Sequence, residues 1–410
     1  MRLTMAERKK VTSKLANEYR SSKKKIKGQI LNWYIKTTGY NRCYASYLLT
    51  NHGKRVKLND KLIIIGDVNK KIKRKGNKRY DKEVYLALRK IWYISGCLCG
   101  KRLKPILPEL VSNLQKHQEL EVRAWVAKQL EKISPATIDR MLKGERKKYI
   151  LKGRTFTKPG SLLKHQIPIR TFADWNENKP GFTEIDLVGH ESGNASGDFM
   201  QTLDMTDIYS GWTETQAVKN KAQIYVFEAL MQIRKRLPMP LLGIDSDSGA
   251  EFINGHLLRF CKDNEITFTR ARPSRKNDNC YVEQKNYSIV RRAVGYYRYD
   301  TQLELKLLNK LYGYLRLYTN YFQPVMKLAK KTRIGSKVIK RYHVAKTPYA
   351  RLLQSKDLPD KYKNKLMKEY NMLSVGKLKR QITKFQNNLA DIAEKKKRHE
   401  NTNGIKLSTQ

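Results

Sequence analysis

The chain has 410 residues, 85 of them Lys or Arg against 37 Asp or Glu, and carries a formal net charge of +48 at pH 7. So large an excess repels itself unless a polyanion shares the surface, which makes nucleic acid the expected partner. No apolar run approaches the roughly 18–20 residues of a membrane span and "MRLTMAERKK" lacks the apolar core of a signal peptide, so no membrane partner is expected.

In the first 150 residues the apolar positions recur at helical offsets. Ile26, Ile30, Trp33 and Tyr34 mark one face of a helix that Gly39 breaks, and Ala45, Leu48 and Leu49 continue in the next. The pattern returns at Val84, Leu88, Ile91 and Trp92, then Gly96, then Leu103, Ile106, Leu107 and Leu110, a weak internal repeat. A third unit opens with Ser134 as N-cap and Pro135 at the first helical position, followed by Ile138, Met141 and Leu142. Helix, short Gly-containing turn and helix under a basic surface is the organisation of helix-turn-helix DNA readers, so residues 1–75 and 76–150 are expected to be two DNA-binding helical regions. Asn41 and Arg42, just after the Gly39 turn, are candidate DNA contacts. The five cysteines (Cys43, Cys97, Cys99, Cys261 and Cys280) are irregularly spaced, which suggests neither a disulfide framework nor a zinc finger.

Residues 151–180 carry Pro159, Gly160, Pro168 and Pro180 with little periodicity and read as an extended linker. From 181 the period shortens. "FTEIDLVGH", "GDFMQTLDMTD" and "WTETQAVK" alternate as three antiparallel strands. A helix follows, with Ile224, Phe227, Leu230 and Met231 at helical offsets, then the strand "PLLGIDSD", the helix "GHLLRFCKDN", the strand "ITFTRA" and a last helix beginning "NDNCYVEQKN". The order βββαβαβα predicts a mixed five-stranded sheet flanked by helices, the order of the ribonuclease H-like fold.

Such a sheet has its first strand in the centre and its fourth beside it. Asp186, mid-strand in the first, and Asp247, ending the fourth, then reach one edge while the helix bearing Glu283 packs across. Three carboxylates so placed repel by about 4 kcal/mol per pair at an effective dielectric near 20, which only divalent cations offset. An all-oxygen site suits Mg²⁺ or Mn²⁺, and two ions about 4 Å apart suit in-line phosphoryl transfer. Asp245 shares a strand face with Asp247 and competes for the second position, but the D-x-G-x-E-F context favours Asp247. Glu251 reads as local structure or a helix start, Asp204 and Asp207 as hairpin acids, and His190 as a hydrogen-bonded structural residue.

These residues carry a resemblance. Residues 181–300 resemble the catalytic core of the DDE transposase and retroviral integrase superfamily: 35 residues separate Asp247 from Glu283, and "SDSGAEFIN" is similar to that branch's S-D-N-G-x-E-F, with Ser248 in place of Asn. "RPSRKNDNCYVEQKN" resembles the basic, Asn-rich approach to the catalytic Glu, and "YTNYFQPVMKL" and "KTPYARLL" resemble patches that follow the core. No His-His-Cys-Cys module precedes the core, unlike retroviral integrases proper. The resemblance implies a transposase of a bacterial insertion sequence, working in the cytoplasm or nucleoid, with Asp186, Asp247 and Glu283 as catalytic and metal-binding triad. It implies Mg²⁺ or Mn²⁺, two ions, as cofactor, double-stranded DNA as substrate and a homo-dimer or higher oligomer on DNA. A catalytically inactive DNA-binding regulator and a ribonuclease H-type nuclease are the alternatives.

The bases around Glu283 are the expected DNA contacts: Arg270, Arg272, Arg275 and Lys276 before it, Lys285, Arg291 and Arg292 after it, with Asn277, Asn279 and Asn286 able to bond bases or sugar edges. Residues 301–410 read as a mostly helical basic region for DNA binding or assembly. Leu307, Leu308, Leu311, Leu315 and Tyr318 mark one helix that Pro324 ends, "KLAKKTRIGSKVIKRYH" suits a phosphate backbone, and the tail "EKKKRHENTNGIKLSTQ" is expected to be disordered.

Overall fold

The computed structural model describes residues 3–59, 62–65, 80–146, 179–247, 249, 251–271 and 280–407, and the chain divides into two compact units, 1–79 and 80–410. Most of the expected linker, up to residue 178, lies outside the described residues.

The first unit is three helices and a strand pair. Helix α1 (Met5–Ser21) opens with a capping box in which the Thr4 side chain accepts from Glu7 N and the Glu7 carboxylate accepts from Thr4 N. Helix α2 (Lys24–Thr38) ends at Gly39, whose φ of 71° is left-handed, and Asn41 caps α3 (Arg42–Asn51) by accepting from Tyr44 N. Ala16, Tyr19, Leu31, Tyr34, Ala45 and Leu49 form the core, with Thr12 hydrogen-bonded to the buried Tyr34 hydroxyl. The expected face of α2 is displaced: Ile26 and Trp33 are 45% and 53% exposed, and the buried stripe runs Leu31, Tyr34, Thr38. Strands β1 (Arg55–Asn59) and β2 (Leu62–Ile65) pair antiparallel.

The second unit begins with α4 (Lys82–Ile94), α5 (Gly100–Lys116), α6 (Ala124–Lys132), α7 (Pro135–Met141) and α8 (Lys143–Arg146). Here the periodicity holds, since Val84, Leu88, Ile91, Trp92, Leu103, Ile106, Leu107 and Leu110 are all buried. Trp92 donates its indole N–H to Leu98 O, and the Ser134 side chain accepts from Thr137 N at the head of α7.

Strands β3 (Phe182–Gly189), β4 (Gln201–Asp207) and β5 (Thr213–Val218) form an antiparallel meander, followed by α9 (Gln223–Arg236), β6 (Gly243–Ser246), α10 (Gly255–Asp263) and β7 (Thr267–Arg270). The sheet order is β5-β4-β3-β6-β7, with β6 parallel to β3 and β7 parallel to β6. The first strand is therefore central and the fourth lies beside it, as the element order implied. Asp207 closes the β4–β5 turn by accepting from Ser210 N, and ties it to the start of β3 by accepting from Gly181 N. Ile185 and Leu203 meet Leu230 and Leu257 beneath α9 and α10. The stripe expected for α9 is turned, because Ile224 is 63% exposed while Val226, Ala229, Leu230 and Ile233 are buried.

After β7 the chain forms α11 (Cys280–Lys285), a π-helical segment (Asn286–Arg291) and α12 (Arg292–Val294), one continuous run, then α13 (Gln302–Phe322). Strands β8 (Leu328–Ile334) and β9 (Lys337–Tyr342) make an exposed antiparallel ribbon where a helical region was expected, because Gly335, at a φ of 59°, turns the chain back on itself. Helices α14 (Pro348–Gln354), α15 (Asp360–Met372) and α16 (Val375–Leu407) complete the unit. Helix α16 runs into the tail expected to be disordered: Tyr314 of α13 stacks on Phe385, and Lys396 pairs with Asp300 and Glu304. Burying Glu304 without that ammonium would strand a charge, so the pairing orders the polar end. Among the described residues no helix is long and apolar enough to cross a membrane.

Candidate active site

Alternation along β3 sends Ile185 into the apolar layer and places Glu184 and Asp186 on the opposite face, under α11. Register adds to that face: Asp186 lies opposite Asp204 on β4, Glu184 beside Asp245 on β6, and Asp245 beside Thr269 on β7. Asp247 follows directly after β6, its carboxylate accepting from Gly249 N at 2.9 Å to close a tight turn. Glu283 stands on α11.

Depth sorts these acids. Glu184, Asp204 and Asp245 are 1% exposed or less, Asp186 and Asp247 are half-buried, and Glu283 is exposed. Only the last three can meet an ion or a substrate arriving from solvent. Asp186 senses the other two: burial first, then the charges of Asp247 and Glu283, push its carboxyl up to about 7, against the hydrogen bonds from Asn286 and Leu187 N. Among the described residues no three Asp, Glu, His or Cys groups stand close enough to form a ready-made metal cage.

The deep acids hold the helix to the sheet. Glu184 accepts from Val282 N at 2.8 Å, fixing the first turn of α11, and Thr269 donates to Asp245. Burial, with the Asp245 and Glu283 charges, raises the Glu184 carboxyl well above its usual range. Burial likewise raises Asp204, whose two oxygens have no hydrogen-bond partner, and the nearby Lys285 ammonium opposes the rise. Lys285 itself is buried and donates to Gly211 O at 3.4 Å; desolvation pushes it down to about 8.

Asn286 donates from Nδ2 to Asp186 Oδ2 at 2.6 Å, so it orients a candidate ligand. Asn286→Ala is expected to lower activity or metal affinity by about 10–100-fold, the usual cost of losing a ligand's outer partner, with little change in thermal midpoint. Unchanged metal titration in the variant would count against this role.

The other expected contacts scatter. Arg272, Arg275, Lys276, Asn277 and Asn279 lie outside the described residues. Arg270 is buried at the end of β7, and Arg291 is buried, donating to Gly189 O and lying over the Tyr296 ring. Arg292 is exposed, as are Arg42, which donates to Asn32 Oδ1, and Asn41. His190 shares a hydrogen bond with Thr202, which shares another with Tyr312, and burial holds the imidazole neutral, down to about 3. Two residues on the acidic face escaped sequence reasoning: Glu184, two residues before Asp186 on the same strand face, and Asp204, read as a hairpin acid. The i, i+2 spacing flagged the first, whereas the second needed the β3–β4 register.

No family model matches the chain. Solved structures similar to part of it include the catalytic core domain of BIV integrase (18% identity, 46% of this chain and 98% of that one, TM-score 0.29). Others are the HTLV-2 integrase catalytic core domain in complex with magnesium (16% identity, 36% and 90%, TM-score 0.28) and a simian T-cell lymphotropic virus intasome in complex with PP2A regulatory subunit B56 gamma (13% identity, 60% and 76%, TM-score 0.32). Over 352 residues, 85% of its length, the chain is 38% identical to the uncharacterized protein y4rM of Sinorhizobium fredii (strain NBRC 101917 / NGR234), covering 96% of that protein. The chain belongs to the family of y4rM.

Proposed function

We propose that the chain is a DNA transposase of an insertion sequence, a DDE-type polynucleotidyl transferase. It binds the terminal inverted repeats, cleaves at the element's 3′ ends and joins those ends to target DNA. What supports this reading is the sheet order, which puts Asp186 on the central strand and Asp247 just after the strand beside it, with the charges of Asp247 and of Glu283 on α11 both felt at Asp186.

The donor set fits a hard dication. It is all oxygen, and the mutual repulsion felt at Asp186 is the kind a cation relieves. Asp186, Asp247 and Glu283 would hold two Mg²⁺ or Mn²⁺, which when bound supply Lewis-acid activation of the attacking hydroxyl or water and stabilise the leaving 3′-oxygen. The chain's own residues do the positioning: Asn286 orients Asp186, Glu184 pins α11, and the Asp247 turn is closed through Gly249 N.

Basic groups elsewhere in the chain hold DNA. Arg272, Arg275, Lys276, Asn277 and Asn279 supply phosphate and base contacts ahead of Glu283, and the exposed ribbon of β8 and β9, with Lys330, Lys331, Arg333, Lys337, Lys340 and Arg341, supplies a second basic surface. A two-stranded ribbon is also narrow enough for the major groove. The helix–Gly39–helix unit reads the element ends through Asn41 and Arg42, and a homo-dimer or larger assembly holds two ends at once.

A strand-transfer assay tests the reading, using purified chain, Mg²⁺ or Mn²⁺, a labelled duplex from the element's end and supercoiled target, beside Glu283→Gln. Joined product that vanishes in the variant is the expected result. Cleavage without joining points to a nuclease, and end binding with neither product points to an inactive DNA-binding protein.

A further inference from the structure

Against the helical run that carries Glu283, within the second unit, the chain forms a half-open cavity of about 120 Å³. Its wall includes Arg102 of α5, Lys285 and Arg292 of the α11–α12 run and Lys379 of α16, and among the described residues contains no Asp or Glu. Gly96, at a φ of 75°, closes one side, where an added Cβ would come within 3.0 Å of the Tyr318 hydroxyl.

Three of the neutral donors of this wall are already used. Tyr318 donates to Ile94 O, Gln323 to Ser95 O and Gln386 to Ala293 O. The cations have modest partners: Arg102 Nε donates to Pro324 O at 2.7 Å, Arg292 Nη2 to Gly96 O at 3.3 Å and Lys285 Nζ to Gly211 O at 3.4 Å, and Lys379 lies 5.9 Å from the centre of the Tyr93 ring. None of the four makes an ion pair among the described residues. Asp204 attracts Lys285 through the interior, but Arg102 and Lys379 are set against Arg292 as like charges. Lys285 is buried and Arg102 and Lys379 are half-buried, while Arg292 reaches solvent; partly desolvated cations facing one recess without an acid beside them favour an anion there.

Size and donor type narrow the anion. The recess admits a single tetrahedral group, and anything larger would extend through its open side. Two guanidiniums and two ammoniums match the several oxygens of a phosphate better than the two of a carboxylate. We propose that this cavity is a phosphate site, taking a phosphate group either as inorganic phosphate or as the terminal phosphate of a polynucleotide strand. It is distinct from the carboxylate edge and needs neither metal nor catalysis.

The test is calorimetric titration of the full chain with inorganic phosphate at constant ionic strength in chloride, with EDTA present. One saturable phosphate per chain is expected, weakened at least tenfold in Lys379→Gln and in Arg102→Lys, which keeps the charge and loses the fork. The thermal midpoint of the unaltered chain should also rise in phosphate over chloride, a readout that does not depend on how the variants fold. Absence of saturable heat, or many weak sites unaffected by either substitution, would overturn the proposal. The source is read by displacement. If a 5′-phosphorylated tetranucleotide displaces phosphate and its unphosphorylated form does not, the strand end is the ligand; if neither does, free phosphate is.

Discussion

Asp186→Asn is expected to lower DNA cleavage and joining by at least about 10³-fold, beyond the roughly 10–100-fold that losing a ligand's outer partner costs. The same substitution should raise the thermal midpoint of the metal-free chain by about 2 °C or more. Both effects have one cause. Burial and the charges of Asp247 and Glu283 oppose the charged form of Asp186, so removing that charge relieves the folded state. Asparagine keeps the shape but gives up the charge that would attract a dication. Scanning calorimetry in EDTA and in Mg²⁺, run beside the joining assay, separates the consequences: Mg²⁺ should raise the midpoint of the unaltered chain more than that of the variant. Joining within tenfold of the unaltered chain, or a lower midpoint in EDTA, would remove Asp186 from the site.

Glu214→Ala is expected to cost about 3–5 kcal/mol of stability, the usual loss when one partner of a buried ion pair is removed. Glu214 is fully buried on β5 and accepts from Arg236 Nε of α9 at 3.2 Å, Arg316 Nε of α13 at 2.9 Å and the Trp212 indole N–H at 2.9 Å. It ties the outer strand of the sheet to helices on both sides. Alanine leaves two guanidiniums and an indole without their acceptor, and Arg316, the more buried of the two, bears most of the loss. Urea unfolding followed by fluorescence should show a lower midpoint at unchanged slope. Glu214→Leu combined with Arg316→Met should recover part of the loss, because it removes the more buried of the two stranded guanidiniums and leaves only Arg236 without Glu214. A cost under about 1 kcal/mol would mean that water reaches the guanidiniums.

How much of this was legible depended on what had to be read. The strands around Asp186 were, because period-two alternation is a local property, and element order then implied the central place of β3. Asp245 and Asp247 differ in depth, a difference the sequence did not show: Asp245 is closed off beneath Thr269 while Asp247 remains half-open. Less legible were helices with apolar residues on more than one side. Helix α9 offers both Ile224–Phe227–Met231 and Val226–Ala229–Ile233, and only the sheet beneath it selects the second. Contacts across strands were not legible at all. That Asp204 faces Asp186, and that Asn286 turns inward to a carboxylate instead of outward to DNA, follow from register and from how a helix lands on a sheet.

The π-helical segment Asn286–Arg291 sits just where those two demands meet. Upstream, Glu283, Lys285 and Asn286 must answer to the acidic face of the sheet; downstream, Val290, Arg291 and Val294 must answer to the interior of the unit. One α-helix would lock the two sets in phase at about 100° per residue, and the wider turn supplies the offset that lets both be satisfied. Deleting any one of its six residues would restore the narrower coil and swing the carboxylate-bearing end by about 100° against the rest. The segment is a phase adjuster, far more tolerant of a changed side chain than of a missing one.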